Sequence, residues 1–231
     1  MDASIWGRNC WANIHRLAIR AAMRPSIAGA VRILLTTLPH IMLCSFCRTH
    51  LRTHMDKLGP PPQRDSELFR YTWKLHDTVN RSLHHPPSPS TADAHAYWNR
   101  GLTDHPTTCM LDLWELLVRL ATHYDRLPRL SARARARRDA AMVRLFGQIP
   151  TMVRALLPQD NESVVIIDLT ATWPNAAVTT ESLLNALGQV MRATNAHHGA
   201  VIPVCDVESG TKACVAQYAI TRPKSWDGQI F

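Results

Sequence analysis

Helical periodicity and the placement of prolines together leave this chain few folds. Apolar residues recur at helical spacing in one segment after another, and prolines cut each segment short. Trp11, Ile14, Leu17, Ala18, Ala21 and Ala22 make one stripe over residues 8–24, closed at Pro25. Ser26 is placed to cap a second helix to about Leu38, with Ile27, Val31, Leu34 and Leu35 on its apolar side and Pro39 as its stop. A third helix opens at Cys44-Ser45-Phe46-Cys47 and runs to about Leu58, before the break at Gly59-Pro60-Pro61-Pro62. Asp65 or Ser66 caps a fourth, in which Leu68, Tyr71, Leu75, Thr78, Val79 and Leu83 keep helical spacing to His84-His85-Pro86-Pro87. A short fifth begins near Ser90-Thr91 and carries Tyr97 and Trp98. Helices joined by short proline-rich turns predict a compact bundle over residues 1–105.

The remainder divides in two. Residues 106–157 read as a helical and basic connecting region, with Leu111, Leu113, Leu116, Leu117 and Leu120 in one segment and Met142, Val143, Leu145 and Phe146 in another. Residues 158–231 change character. The run from Val164 to Ala171 reads as a buried strand, Leu183 to Thr194 as a helix, and Gly199 to Val204 as a second strand. Strand, helix, strand at this spacing is a βαβ unit. The expected fold class is therefore mainly α, a four-helix bundle with a short fifth helix, followed by a small α/β domain.

Composition narrows the setting. Hydrophobic residues at 46% and charged residues at 19% describe a globular chain. No apolar run reaches the roughly 18 residues that span a bilayer, so no membrane partner is expected. The first residues lack a basic stretch followed by an apolar core, so a cleaved secretory signal is not expected. A net charge of +8 favours acidic partners in a general way. Much of the imbalance sits between Arg129 and Arg138, where arginine alternates with small residues; this reads as a solvated linker or a helix start. Nucleic acid is not expected there, because no aromatic residue interleaves with the charges to stack on bases.

Six cysteines are too few for a disulfide scaffold, and only Cys44 and Cys47 form a CxxC. At a helix start, the unpaired backbone N–H groups lower a thiol pKa and favour exchange with another disulfide. The first cysteine of such a pair is usually the accessible one and the second the shielded one. Around it stand two helix-spaced pairs, Trp11 with His15 and His76 with Asn80. They supply an aromatic wall and polar groups at matching heights, which suits a flat cofactor.

These residues resemble the Erv/ALR family of FAD-dependent sulfhydryl oxidases, over about Gly7 to Gly101. Gly7-x3-Trp11-x3-His15 looks like the family's first helix, and Cys44-x2-Cys47-x2-His50-Leu51 like its active-site helix. His76-Asp77-Thr78-Val79-Asn80-Arg81-Ser82-Leu83, followed by Pro86, is similar to its His-Asn-x-Val-Asn-x-x-Leu-Gly-Lys-Pro segment. Trp98-Asn99-Arg100-Gly101 looks like the closing Trp-x-x-Gly. The resemblance implies FAD as cofactor, with Gly7, Trp11, His15, His50, His76, Asn80, His85 and Trp98 around it. It implies Cys47 as the flavin-proximal thiol and Cys44 as the interchange thiol, with protein dithiols as substrates, dioxygen as acceptor and hydrogen peroxide as product. A homodimer is also implied. His84 stands where the family has glycine and His85 where it has a phosphate-facing lysine; an imidazole donates more weakly at neutral pH. Family habit points to a large DNA virus, acting in host cytoplasm, nucleus or virion, with the mitochondrial intermembrane space as the alternative.

Two competing readings stand beside this one. Cys44, Cys47, His50 and His54 are four potential zinc ligands in eleven residues, but four ligands along one helix cannot all converge on a tetrahedral ion, and no metal is expected. The other is a catalytically inactive interaction module. The segment Val164 to Trp173 resembles a thioredoxin strand, with Pro174-Asn175-Ala176-Ala177 where that fold carries its CxxC, so a degenerate thioredoxin-like appendage is expected. Cys205 and Cys214 are read as a candidate shuttle pair or as buried single thiols.

Overall fold

The computed structural model describes residues 3–42, 44–124, 130–156 and 178–198. Among them are nine α-helices and no strand. In chain order they are α1 (Ala3–Ala21), α2 (Pro25–Ile41), α3 (Ser45–Leu58), α4 (Leu68–Ser82), α5 (Thr91–Asp104), α6 (Pro106–Thr122), α7 (Ala132–Phe146), α8 (Ile149–Leu156) and α9 (Thr180–His198). The helical bundle expected from the sequence is what the chain forms. Both expected C-terminal strands, the thioredoxin-like segment, Cys205 and Cys214 lie outside the described residues. The helix expected between those strands is α9.

Helix α1 is the axis of the molecule, packed on by α2, α4, α5, α6 and α8. From Asn9 to Ile19 every residue except Trp11 is buried. Its apolar residues Ile14, Leu17, Ala18 and Ile19 meet the core, while Asn9, Asn13, His15 and Arg16 must find polar partners there. Helix α2 in turn carries α3 and α7 on its flanks, and α9 lies against α6. Residues 106–156 thus pack directly on the first two helices.

Several boundaries differ from the sequence reading for local reasons. Pro25 is the first residue of α2, with Arg24 ahead of it, because the missing N–H of proline is harmless in a first turn. Pro39 does not stop α2, which runs on to Ile41. Proline costs one ladder bond near a C-terminus, and Met42 N–H still closes the turn onto Leu38 O at 3.0 Å. A 3₁₀ turn over Asp65–Glu67 leads into α4. The arginine-rich run is a helix start, since Ser131 Oγ accepts from Ala134 N–H at the head of α7.

The end of α4 matters for the site. His84 has φ +57°, the left-handed conformation that glycine adopts without cost. His84 N–H bonds to Arg81 O at 3.1 Å and His85 N–H to Asn80 O at 2.9 Å, the paired bonds of a Schellman cap. The backbone therefore explains a glycine at this point, and a histidine holds the same geometry under strain.

Candidate functional site

Helix α3 begins at its dithiol. Cys44 is the N-cap residue, and its Sγ accepts from Cys47 N–H at 3.2 Å. Cys44 and Cys47 are joined as a disulfide, with Cα atoms 5.1 Å apart. Both are half-buried, so exposure does not separate them. Hydrogen bonding does: it is the sulfur of Cys44 that faces the helix N-terminus, where a thiolate is stabilised. The other described cysteines are buried single thiols. Burial pushes Cys10 up to about 12 and, with the nearby Asp112 carboxylate, Cys109 up to about 11, which leaves them inert as nucleophiles.

Four of the residues singled out from the sequence meet in one ring cluster. Trp11 lies face to face on His76, with centroids 4.2 Å apart and planes 9° apart. His15 stacks beside both, 5.9 Å from Trp11 and 5.2 Å from His76. Trp98 stacks on His15 at 5.5 Å. The two helix walls therefore close on one another. At 4.2 Å no ring fits between Trp11 and His76, and any flat group must use the outer surface of the stack.

The hydrogen bonds inside this cluster fix its protons. Thr72 Oγ1 donates to Phe69 O at 2.9 Å. Its single proton is then spent, so it can only accept from His15 Nδ1, 3.1 Å away. A neutral His15 protonated at Nδ1 has a bare Nε2, which accepts from His76 Nδ1–H at 2.9 Å. His76 Nε2 is left as a lone-pair acceptor with no hydrogen bond to the described residues. Both imidazoles are held neutral. Burial, then His76 and Arg16, lower His15 well below the usual histidine value. Burial lowers His76 to about 4, with Asp77 opposing that effect and His85 adding to it.

Among the described residues, the remaining expected cofactor residues make no ring contact with this cluster. Asn80, one turn beyond His76, donates through Nδ2 to Ser88 Oγ at 3.4 Å. His85 is exposed. Gly7 lies on α1 with open space where a Cβ would stand. His50 has different neighbours: its ring stacks on Phe46 at 5.2 Å, and its Nε2 pairs with His54 Nε2 at 3.0 Å. His54 Nδ1 is buried and unpartnered. An orphaned N–H costs more than an orphaned lone pair, so His54 donates to His50. Among the described residues, no group of three or more histidine, cysteine or carboxylate side chains could hold a metal ion.

Sequence reading missed three participants. Thr72 sits four residues before His76 on the buried stripe of α4, and that spacing was the available signal. Asp77 holds the loop after α4: Oδ1 accepts from Ser88 N–H at 3.0 Å, and Oδ2 from Arg81 Nε at 2.7 Å. Arg16 lies 5.4 Å over the Trp98 ring and is paired with Asp112 of α6 at 2.6 Å. An open cavity of ≈ 430 Å³ lined by Ala18, Phe69, Thr91 and His95, among others, includes none of the expected site residues. It lies further along α1, beyond His15.

The site fits a flavin dinucleotide in its donor chemistry. It has a flat aromatic surface, a fixed ring acceptor at His76 Nε2, an amide at Asn80 and a dithiol on the adjoining helix. Compared with known proteins, residues 8–99 match the model of the Erv1/Alr family. No curated protein and no solved structure matches the chain. The match begins one residue before Asn9 and ends one residue after Trp98, so it takes in the ring cluster and the dithiol and stops short of α6.

Proposed function

We propose, from the match of residues 8–99 to the model of the Erv1/Alr family of FAD-linked sulfhydryl oxidases, that the chain oxidises protein dithiols to disulfides, with dioxygen as final acceptor and hydrogen peroxide as product. The observation that carries this reading is the Cys44–Cys47 disulfide at the N-terminus of α3, with Cys44 Sγ held on Cys47 N–H.

The exchange proceeds from that geometry. A substrate thiolate attacks Cys44 Sγ, the Cys44–Cys47 bond breaks, and Cys47 leaves as a thiolate. The second substrate thiolate then attacks the substrate sulfur of the mixed disulfide, and Cys44 leaves as a thiolate stabilised by Cys47 N–H and the helix dipole. The substrate loses two electrons and two protons, and the enzyme pair gains them. Bound FAD supplies the two-electron acceptor that returns the pair to its disulfide. Trp11, His15, His76, Asn80 and Trp98 would hold it, with Gly7, His50 and His85 as the further residues implied by resemblance. Thr72 and His15 keep His76 Nδ1 protonated, so that Nε2 offers a lone pair and cannot donate.

The test is the visible spectrum of the purified chain before and after an air-free dithiol. A flavin band that bleaches supports the reading, and a colourless protein without turnover overturns it. Cys47→Ala abolishes turnover of a small dithiol while FAD stays bound; full activity in that variant sinks the exchange mechanism. A homodimer is part of the proposal. The flanks of α1 and α2 are covered by α6, α7 and α8 of the same chain, so the dimer uses other surface, and sedimentation measures it.

A further inference from the structure

The arginine run lies on α7, a helix packed against α2, whose C-terminal end leads into the dithiol. Arg133, Arg135 and Arg137 are exposed and form no ion pair with a described carboxylate. From α3, Arg52 Nη2 donates to Pro39 O at 3.3 Å, which brings it to the end of α2. The charges of Arg52 and Arg137 both act on His40, and those of Arg138 and Arg52 both act on Arg48. Arg48 and Arg52 of α3 and Arg137 and Arg138 of α7 therefore lie near one another at the end of α2. Together these helices carry eight arginines and lysines against two aspartates, Asp56 and Asp139.

Between the two cysteines lies Phe46. At 62% it is the most exposed large apolar side chain among the described residues, and its ring rests on His50. One exposed phenylalanine is ordinary on a protein surface. This one stands between the two cysteines, in the same helical turn as the reactive disulfide.

We propose that this face docks an acidic segment of the protein substrate, with an apolar side chain next to the substrate dithiol seated on Phe46 and carboxylates along the arginines of α3 and α7. The inference rests on the oxidase reading for its chemistry and adds the substrate class. A polypeptide fits better than a nucleic acid, because a single apolar contact at the disulfide suits a cysteine-bearing partner and offers no run of stacking platforms.

The experiment uses the full chain and two labelled peptides. Both contain Cys-x-x-Cys flanked by leucine, one with four glutamates and the other with four lysines. Serine-substituted forms report binding by fluorescence anisotropy, dithiol forms report kcat/KM, and dithiothreitol reports the oxidase itself. The acidic peptide should be preferred about tenfold or more at low salt, and the preference should shrink as salt screens it. Combining Arg133→Gln, Arg135→Gln and Arg137→Gln should remove most of the preference and leave dithiothreitol turnover unchanged. Phe46→Ser should raise KM several-fold for the leucine-flanked peptide relative to a glycine-flanked one. Equal binding of the two peptides, or an undiminished preference in the triple variant, overturns the proposal. So does a single-stranded oligonucleotide of equal charge that binds more tightly than the acidic peptide. Preferred binding of the acidic peptide without dithiothreitol turnover supports the docking surface and overturns the oxidase reading alone.

Discussion

Helix α1 buries polar side chains on two faces and treats them in opposite ways. Toward α6, charge is kept and matched. Arg16, 1% exposed, meets Asp112, 5% exposed, at 2.6 Å. Asn9 Nδ2 donates to Glu115 Oε2 at 2.5 Å, and Arg119 Nη2 donates to Glu115 Oε1 at 2.6 Å. Toward α4, charge is discarded. His15 and His76 are neutral and pass one defined chain of protons from His76 through His15 to Thr72 and Phe69 O. The difference teaches what each face is for. A matched ion pair is closed and fixes how α6 sits on the bundle. The neutral chain ends in an unspent acceptor at the edge of the aromatic stack, which is what a binding surface needs.

The sharpest way to break the comparison is to unpair the structural face. Asp112→Ala leaves Arg16 charged and buried, and should cost about 3–5 kcal/mol. Chemical denaturation measures it, and a loss under about 1 kcal/mol would mean that α6 contributes little to the fold. Acid attacks the other face next. Histidine titrates near 6.5 in the unfolded chain and His76 near 4 in the folded one, so the unfolded state takes up the proton first. His76's contribution is complete above about pH 6.5 and is lost as pH falls toward 4, by roughly 3 kcal/mol at about 1.36 kcal/mol per unit. His15, also lowered, adds in the same direction. Melting temperature against pH should show this slope, His76→Asn should reduce it, and an unchanged slope in that variant would remove His76 as its source.

A finer test separates proton order from packing. Thr72→Val keeps the shape but deletes the acceptor of His15 Nδ1–H, at a cost of about 1–3 kcal/mol. Imidazole nitrogen chemical shifts should report scrambled tautomers at His15 and His76, and FAD should bind more weakly. Unaltered tautomers would show that Thr72 only fills space. The smallest effect is at the cap that ends α4. His84→Gly relieves a left-handed residue and should stabilise the chain by about 1 kcal/mol. A lower melting temperature there would mean that the His84 side chain makes a contact worth more than its strain.

Much of the candidate site could be read from spacing. Trp11 and His15, His76 and Asn80, and the two cysteines at i, i+3 are local patterns that a helix turns into faces, and the bundle placed Trp11, His15, His76 and Trp98 together. The stripe Asn9, Asn13, Arg16 on α1 and the stripe Asp112, Glu115, Arg119 on α6 were equally periodic. Nothing in the sequence singled them out, because polar residues at helical spacing carry no mark of burial. Pro39 misled for a related reason. A proline forbids a helix interior but is tolerated in the last turn, and whether the helix can close beyond it is decided by the residues after it.

By itself the sequence determined the helices, their order, and a disulfide seated at a helix N-terminus. Each of these depends on residues within a few positions of one another, through propensity, capping and chain reach. Tertiary structure decided which ring nitrogen holds a proton, that the aromatic walls touch, which carboxylate answers Arg16, and that the arginine run packs along α2. The contacts behind the first and third of these join residues 57, 61 and 96 positions apart. Partners at that distance are chosen by how whole helices pack, and a local pattern cannot name them.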